Sequence, residues 1–120
     1  MNEVIESKIK MLPSSPGVYV MLDEDGKVIY VGKAKILKNR VKQYFYSGTK
    51  TDKVMAMVNN IADFYYIMTA SEIDALSLEN NLIKKYKPRY NILLKDDKTY
   101  PYLKVNLKEP FPKFTVTRKV

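Results

Sequence analysis

Two nearly continuous apolar runs joined by a polar segment near the start of the chain predict a β-hairpin. Val18 to Leu22 and Lys27 to Val31 are rich in β-forming residues, and Asp23-Glu24-Asp25-Gly26 between them carries the Asp-Gly pair that favours a tight turn. Gly32 is expected to end the second strand. An aromatic-rich third strand is predicted over Asp63 to Thr69. These segments predict a small, mostly antiparallel sheet.

Apolar residues at helical spacing predict helices around this sheet. The four predicted helices span Met1 to Lys10, Ala34 to Tyr46, Thr51 to Ala62, and Ser71 to Tyr86. The last begins with the capping pattern Ser71-x-x-Asp74. Lys87-Pro88 should break it, and Tyr90 to Leu94 is predicted to continue as an extended segment or turn. The fold class is therefore α/β (α+β), with a hairpin and a third strand flanked by helices.

The end of the chain carries two further strand-like runs, Tyr102 to Leu107 and Lys113 to Lys119. Because the second nearly reaches the last residue, we expect the chain to be cut from a longer protein. The predicted organisation is a lead-in helix at 1–12, a globular domain at 13–95, and a strand-bearing extension at 96–120.

Composition narrows the chemistry. The 120 residues include no Cys and no His, which excludes disulfides, Cys/His zinc sites and His-dependent relays. Catalysis would have to use Tyr, Lys, Arg, Asp or Glu. The net charge of +8 favours nucleic acid as the partner, since a basic surface gains affinity by counterion release. Without a signal peptide or a long apolar run, we expect a soluble, cytoplasmic protein with no membrane contact.

Two charged residues fall on apolar helical faces. Glu79 lies on the apolar face of the last predicted helix, which comprises Ala75, Leu76, Leu78, Leu82, Ile83 and Tyr86. Arg40 lies within the apolar arc of the second helix, which comprises Ile36, Leu37, Val41, Tyr44 and Phe45. The structural interpretation is a Glu79 salt bridge and an Arg40 side chain that reaches past its neighbours to water. If both face an open cleft, they form a phosphate clamp beside a Mg²⁺ or Mn²⁺ site.

Tyr19 and Tyr30 stand on the two hairpin strands, each beside a glycine: Gly17-Val18-Tyr19 and Tyr30-Val31-Gly32. Tyrosines on neighbouring strands are usually packing or stacking residues. A phenol is a poor base unless a neighbour withdraws its proton, and a cation such as Lys33 nearby would lower its pKa.

These tyrosine motifs, followed by an Arg on the next helix and a Glu on a later one, resemble the GIY-YIG nuclease superfamily. The likeness extends to Tyr30-Val31-Gly32-Lys33-Ala34-Lys35, to Asn39-Arg40-Val41, and to the run from Leu78 to Asn91. Over about residues 13–102 the chain is similar to the N-terminal domain of the UvrC family of bacterial nucleotide excision repair. Both isoleucines of the motif name are valine here.

The resemblance implies an endonuclease that nicks one strand of damaged double-stranded DNA 3′ to the lesion with water and one divalent metal, Mg²⁺ or Mn²⁺. It implies that Glu79 is the metal ligand, that Arg40 binds the scissile phosphate, and that Tyr30 accepts a proton. Lys33 and Tyr19 are implied to tune Tyr30, and Tyr44 and Asn91 to complete the pocket. The residues expected to bind substrate together with Arg40 are Lys33, Lys35 and Asn91. The implied partners are UvrB and, upstream, UvrA, through parts of the parent protein outside this monomeric fragment.

Two alternatives remain open at this point. In a non-catalytic nucleic-acid-binding module, Tyr30, Tyr44, Tyr65 and Tyr66 would stack on bases. Another GIY-YIG enzyme, of the homing or restriction type, would keep the chemistry but carry extra DNA-reading modules. The residue pattern also leaves open whether Tyr19 or Tyr30 is the base.

Overall fold

A computed structural model describes residues 2–46, 48 and 50–95. The elements in chain order are α1 (Glu3–Lys10), β1 (Gly17–Leu22), β2 (Val28–Ala34), α2 (Leu37–Tyr46), α3 (Asp52–Asn59), β3 (Asp63–Met68), α4 (Glu72–Tyr86) and α5 (Arg89–Lys95). The predicted fold class, a small antiparallel sheet flanked by helices, is confirmed. The strand-like runs predicted at Tyr102–Leu107 and Lys113–Lys119 lie outside the described residues.

The turn between β1 and β2 forms as the Asp-Gly pair predicts. Gly26 has a φ of +79°, in the left-handed region that favours glycine, and its amide donates to the Asp23 carbonyl at 2.9 Å. The Asp23 carboxylate also accepts from the amides of Asp25 and Lys27, each at 2.9 Å. The turn thereby sets the register of the hairpin.

The sheet has the order β2-β1-β3, and both pairings are antiparallel. Because β1 is central, its side chains point alternately into two cores. Tyr19 and Met21 belong to the larger core, packed with α1, α2, α3 and α5. Val18 and Val20 belong to a smaller core covered by α4. The strands β2 and β3 are therefore the two edges of the sheet.

The second strand is longer and the following helix shorter than predicted. Gly32 does not end β2, because Lys33 and Ala34 continue the ladder opposite Val18 and Gly17. The helix begins at Leu37 rather than Ala34. Its first amides are bonded outside the helix: Leu37 donates to the Ser15 carbonyl at 2.9 Å, and Lys38 to that of Pro13 at 3.1 Å.

Three helices begin at capping side chains, which satisfy amides that have no partner within a helix. Asn2 accepts from the Ile5 amide, Thr51 from that of Val54, and Ser71 from that of Asp74. The Ser71 cap confirms the predicted capping pattern. The longest helix, α4, has 15 residues. In the described part of the chain, no helix combines the length and the apolar character needed to cross a membrane.

The apolar faces of α2 and α4 are narrower than predicted. Ile36 is 37% exposed, and Leu76 and Tyr86 are 44% and 40% exposed. The residues of the predicted α4 face that pack on the small core are Ala75, Leu78, Leu82 and Ile83. A sheet with only three strands offers too little surface to cover a wide helical face, so the flanks of each face remain in solvent.

The segment after α4 is a helix, which corrects the prediction of an extended segment or turn over Tyr90 to Leu94. Lys87 takes a left-handed conformation with φ of 46° and ends α4, and α5 begins directly after Pro88. Pro is favoured at the start of a helix, where its missing amide is not needed. Tyr90 and Leu94, four residues apart, are both buried against the larger core.

Candidate active site

Three tyrosines from β1, β2 and α2 form a cluster on one face of the sheet. Tyr19 is 1% exposed, and its hydroxyl lies 2.8 Å from the hydroxyl of Tyr44. The Tyr30 ring lies 6.2 Å from each of the other two ring centroids. Burial raises the pKa of Tyr19 well above its ordinary value, and Tyr44 and Tyr30 add to the rise, whereas Arg40 acts to lower it. Tyr19 is therefore a neutral hydroxyl at physiological pH.

Two glycines allow the backbone to approach closely around this cluster. Gly32 lies opposite Tyr19, and a Cβ at Gly32 would overlap the Tyr19 ring and hydroxyl. A Cβ at Gly17 would overlap the Ile67 carbonyl and lie 2.6 Å from Leu37 Cδ1. The glycines are thus required for packing. The sequence signal for this role is the presence of a glycine two residues from each hairpin tyrosine.

We expect Gly32→Ala to destabilise the fold and to displace Tyr19. Overpacking a tight site costs about 1–3 kcal/mol, which lowers the melting temperature of a domain this size by several degrees. Thermal unfolding followed by circular dichroism measures the shift. The control is Gly48→Ala, since nothing lies within 4 Å of a Cβ at Gly48. An unchanged melting temperature for Gly32→Ala would contradict the steric argument.

Glu79 approaches the β2 edge from the α4 side of the sheet. Its carboxylate is half-buried next to the small core, and desolvation raises its pKa above the ordinary value. The charge of Lys33, a hydrogen bond from the Lys33 backbone amide, and the charge of Arg40 all act to lower that pKa, but burial outweighs them. Because the two cations do not offset the cost of burial, a further positive charge would stabilise the ionised carboxylate of Glu79.

Arg40 and Lys33 reach the same edge from different elements. Arg40 is an exposed residue of α2, and its charge acts on both Glu79 and Tyr19. Lys33 lies on β2, and its ammonium group is 3.5 Å from a carboxylate oxygen of Glu72 at the start of α4. Arg40, Lys33 and Glu79 therefore form one electrostatic group, which is contributed by α2, β2 and α4.

An open, polar pocket of about 280 Å³ adjoins this group. The residues that line it are Lys33, Ala34, Lys35, Ile36, Asn39, Arg40, Gln43 and Glu72. Three of them are cations and one is an acid, so the pocket is suited to an anion. Glu79 and the three tyrosines do not line this pocket.

Asn91, on α5, is bonded to the backbone of β2. Its side-chain carbonyl accepts from the Val31 amide at 2.8 Å, and its side-chain amide donates to the Val31 carbonyl at 2.8 Å. The side chain thus takes the place of a neighbouring strand at this sheet edge. These bonds fix Asn91 beside Tyr30 in the ladder, where it is suited to position that strand; the sequence analysis named Asn91 as a pocket residue but did not reveal these bonds.

We expect Asn91→Ala to lower both stability and activity. The substitution leaves a part-buried backbone amide and carbonyl without partners, which costs about 1–3 kcal/mol, and it frees the strand that carries Tyr30. Asn91→Asp keeps the acceptor for the Val31 amide and should retain more stability. Chemical denaturation and a cleavage assay on both variants provide the measurements. Full activity of Asn91→Ala would contradict the positioning role.

The donor set fits a single hard cation with few protein ligands. Among residues 2–46, 48 and 50–95, no group of three or more acidic side chains comes together. Glu79 is the carboxylate of this site that lies half-buried among apolar neighbours. Carboxylate oxygen favours Mg²⁺ or Mn²⁺, and Mg²⁺ commonly keeps several waters when one carboxylate holds it. The residues present therefore fit one such ion at Glu79.

The chain is similar in sequence to proteins of known family. The family model described as the UvrC-like GIY-YIG domain matches residues 15–92. The UvrABC system protein C of Clostridium acetobutylicum is 64% identical over 116 residues, and that of Thermoanaerobacter sp. (strain X514) is 57% identical over 117 residues. The matches cover 96% and 97% of this chain but 19% of either relative. The chain thus spans about a fifth of the length of these curated relatives.

A solved structure has the same fold as this chain. The GIY-YIG N-terminal endonuclease domain of UvrC from Thermotoga maritima, bound to magnesium as its catalytic divalent cation, matches with a TM-score of 0.67 and 41% identity. The match covers 75% of this chain and 98% of that domain. A variant of that domain with one tyrosine replaced by phenylalanine, also bound to the cation, matches with a TM-score of 0.68 and 40% identity. The predicted GIY-YIG fold is confirmed.

Proposed function

The chain belongs to the UvrC-like GIY-YIG family, and from this premise we propose that it is a metal-dependent endonuclease domain that hydrolyses a DNA phosphodiester. In its parent protein the reaction is the 3′ incision at damaged DNA in bacterial nucleotide excision repair, with UvrB as partner and UvrA upstream. The observation that carries the proposal is the electrostatic group at the β2 edge. There Glu79 and Arg40 act on one another beside a buried tyrosine cluster.

Each charged residue has a part in this proposal. Glu79 would hold one divalent ion, either Mg²⁺, which is the ion named for the homologous domain, or Mn²⁺. When bound, that ion supplies Lewis-acid stabilisation of negative charge on the phosphate and the leaving oxygen. Arg40 binds the scissile phosphate, because its planar guanidinium donates to two phosphate oxygens at once. Lys33 and Lys35 line the adjoining pocket and add positive charge for the DNA backbone.

Tyr30 is the better candidate to accept a proton from the attacking water. Tyr19 is enclosed, is bonded to the Tyr44 hydroxyl, and has a pKa raised well above that of a free phenol. A group that resists ionisation makes a poor base. Tyr30, at the sheet edge, is 8% exposed and borders both rings. Tyr19 and Tyr44 then hold Tyr30 in place.

We expect Tyr30→Phe to slow cleavage about 10²-fold or more, the usual cost of losing a general base. Tyr19→Phe removes one hydrogen bond, worth about 1 kcal/mol, and should slow cleavage by less than about tenfold. Single-turnover rates at saturating metal, measured from pH 6 to pH 9, compare the two variants. A larger loss for Tyr19→Phe would assign the base to Tyr19 instead.

A non-catalytic stacking platform is not supported by the placement of the tyrosines. Tyr30 is buried at one edge of the sheet, whereas Tyr65 and Tyr66 lie on β3 at the other edge. Tyr65 and Tyr66 are neighbours on a strand, so their rings point to opposite faces. The four rings required by that alternative therefore share no surface on which consecutive bases could stack.

The proposal is tested by locating the metal and by removing it. Crystals of the chain soaked in Mn²⁺ should show anomalous density within about 2.5 Å of a Glu79 oxygen. The full-length parent protein, with UvrA and UvrB, should incise lesion-containing duplex 3′ to the lesion with Mg²⁺ or Mn²⁺. Full incision in excess EDTA would contradict the metal dependence. No incision under any of these conditions would contradict the enzymatic function.

A further inference from the structure

Positive charge is concentrated in one part of the sequence. Residues 26–51 contain seven Lys or Arg residues and no Asp or Glu. Only some of these cations belong to the site described above. The stretch includes all of α2, a helix with no acidic residue, whose exposed surface is therefore basic. Such a surface attracts a polyanion over a wider area than one phosphate.

A second groove lies beside α2, with a volume of about 480 Å³. It is lined by Ile9, Lys10, Lys38, Lys42 and Tyr46. Lys38, Lys42 and Tyr46 follow one another at intervals of four residues, so they form one stripe along α2. Lys10 faces them from the last turn of α1. Ile9 is buried and provides an apolar floor. The polar walls of the groove are therefore three lysines and a phenol.

Within residues 2–46, 48 and 50–95, these three ammonium groups form no ion pair. Lys8 shows the contrast, because its ammonium group is 2.7 Å from the Asp63 carboxylate. Three like charges around one groove repel each other and weaken the fold slightly. A bound anion with several negative groups would remove that repulsion.

The groove and the candidate active site lie on opposite flanks of α2. Lys35 and Arg40 line the pocket beside the β2 edge, whereas Lys38 and Lys42, each two residues from Arg40, lie about 160° from it around the helix axis. A nucleic-acid strand whose phosphate rests on Arg40 reaches the groove by crossing the exposed outer face of α2. Tyr46, 53% exposed at the end of the stripe, offers a ring to a base.

We propose that the groove between α1 and α2 binds backbone phosphates of the cleaved DNA strand, flanking the phosphate held by Arg40. Lys10, Lys38 and Lys42 make these contacts. The inference rests on the proposed nuclease function for the identity of its ligand. It adds a binding surface that is separate from the cleavage chemistry, since none of the three lysines belongs to the group around Glu79.

The test compares two triple variants with equal loss of charge. Lys10→Ala/Lys38→Ala/Lys42→Ala removes the groove, and Lys27→Ala/Lys84→Ala/Lys95→Ala removes three exposed lysines elsewhere. Binding of each folded chain to a fluorescein-labelled duplex is measured in EDTA by anisotropy over a range of KCl concentrations. The groove variant should bind at least about tenfold more weakly at 100 mM KCl, and its salt slope should fall by about three, one for each phosphate contact.

The control variant should change Kd by less than about threefold. Equal losses in both variants, no loss in the groove variant, or no binding of the wild-type chain at low salt would each overturn the proposal. A cleavage assay at saturating DNA separates this result from the nuclease proposal. If the groove variant binds weakly but the wild-type chain does not cleave, the groove stands and the nuclease function fails. If the wild-type chain cleaves but the groove variant binds DNA as tightly as the wild-type chain does, the nuclease function stands and the groove proposal fails.

Discussion

Replacing Glu79 by glutamine is expected to abolish magnesium-dependent cleavage while the fold remains intact. Glutamine has nearly the same shape as glutamate but lacks the charge that attracts a divalent cation. Because Glu79 is the carboxylate proposed to hold the ion, the rate should fall by at least about 10²–10³-fold, the scale of losing one electrostatic stabiliser of the transition state. Single-turnover cleavage at several Mg²⁺ concentrations measures the loss.

Metal binding can be followed without any cleavage. A ligand that binds only the folded state raises its stability by RT ln(1 + [L]/Kd). Mg²⁺ or Mn²⁺ should therefore raise the melting temperature of the wild-type chain and have no specific effect on Glu79→Gln. Asp74→Asn is the matched control, since Asp74 is an exposed acid on the same helix. If Glu79→Gln keeps the metal-dependent rise, the ion is bound elsewhere.

In EDTA, the same variant should be at least as stable as the wild-type chain. Burial raises the pKa of Glu79 in the folded state, so the folded protein holds the carboxyl proton more tightly than the unfolded chain. Stability then falls as pH rises from the unfolded value, about 4.3, through the raised folded value, and the loss is complete above it. Because glutamine does not ionise, the stability of Glu79→Gln should not show this decrease with rising pH. Denaturation at pH 4 and pH 7 compares the two proteins.

Local signals predicted most of the fold. The Asp-Gly turn, the Ser71 cap and the aromatic third strand depend on neighbours in sequence, and each formed where expected. The end of β2 and the start of α2 were missed because they depend on distant partners. Gly17 and Val18 extend the ladder to Ala34, and the loop before β1 accepts the first amides of α2.

Two anomalies in the sequence singled out residues of the candidate site. A carboxylate and a guanidinium on otherwise apolar faces conflict with simple amphipathic patterning, and that conflict pointed to Glu79 and Arg40. The structure places both at the β2 edge. The bonds of Asn91 to Val31 could not be predicted, because they join residues 60 positions apart. The α5 helix was missed for a similar reason: its buried residues meet a core built from other elements.

Replacing Arg40 by alanine is expected to reduce cleavage about 10²–10³-fold with little change in stability. The guanidinium is proposed to bind the scissile phosphate, so its loss removes stabilisation of the charge that develops there. Arg40 is exposed on α2, and exposed substitutions usually change stability by less than about 0.5 kcal/mol. The metal-dependent rise in melting temperature should persist, which separates this variant from Glu79→Gln. Single-turnover cleavage and thermal unfolding give both values.

Arg40→Lys distinguishes a phosphate clamp from a diffuse charge effect. Lysine keeps the charge but cannot donate in the bidentate geometry of a guanidinium. If Arg40 grips the phosphate, Arg40→Lys should recover only a small part of the lost rate, whereas a general electrostatic role would be largely restored. Lys84→Ala, which removes a charge from the exposed face of α4, should cleave like the wild-type chain. Full activity of Arg40→Ala would contradict the proposed binding of the scissile phosphate by Arg40.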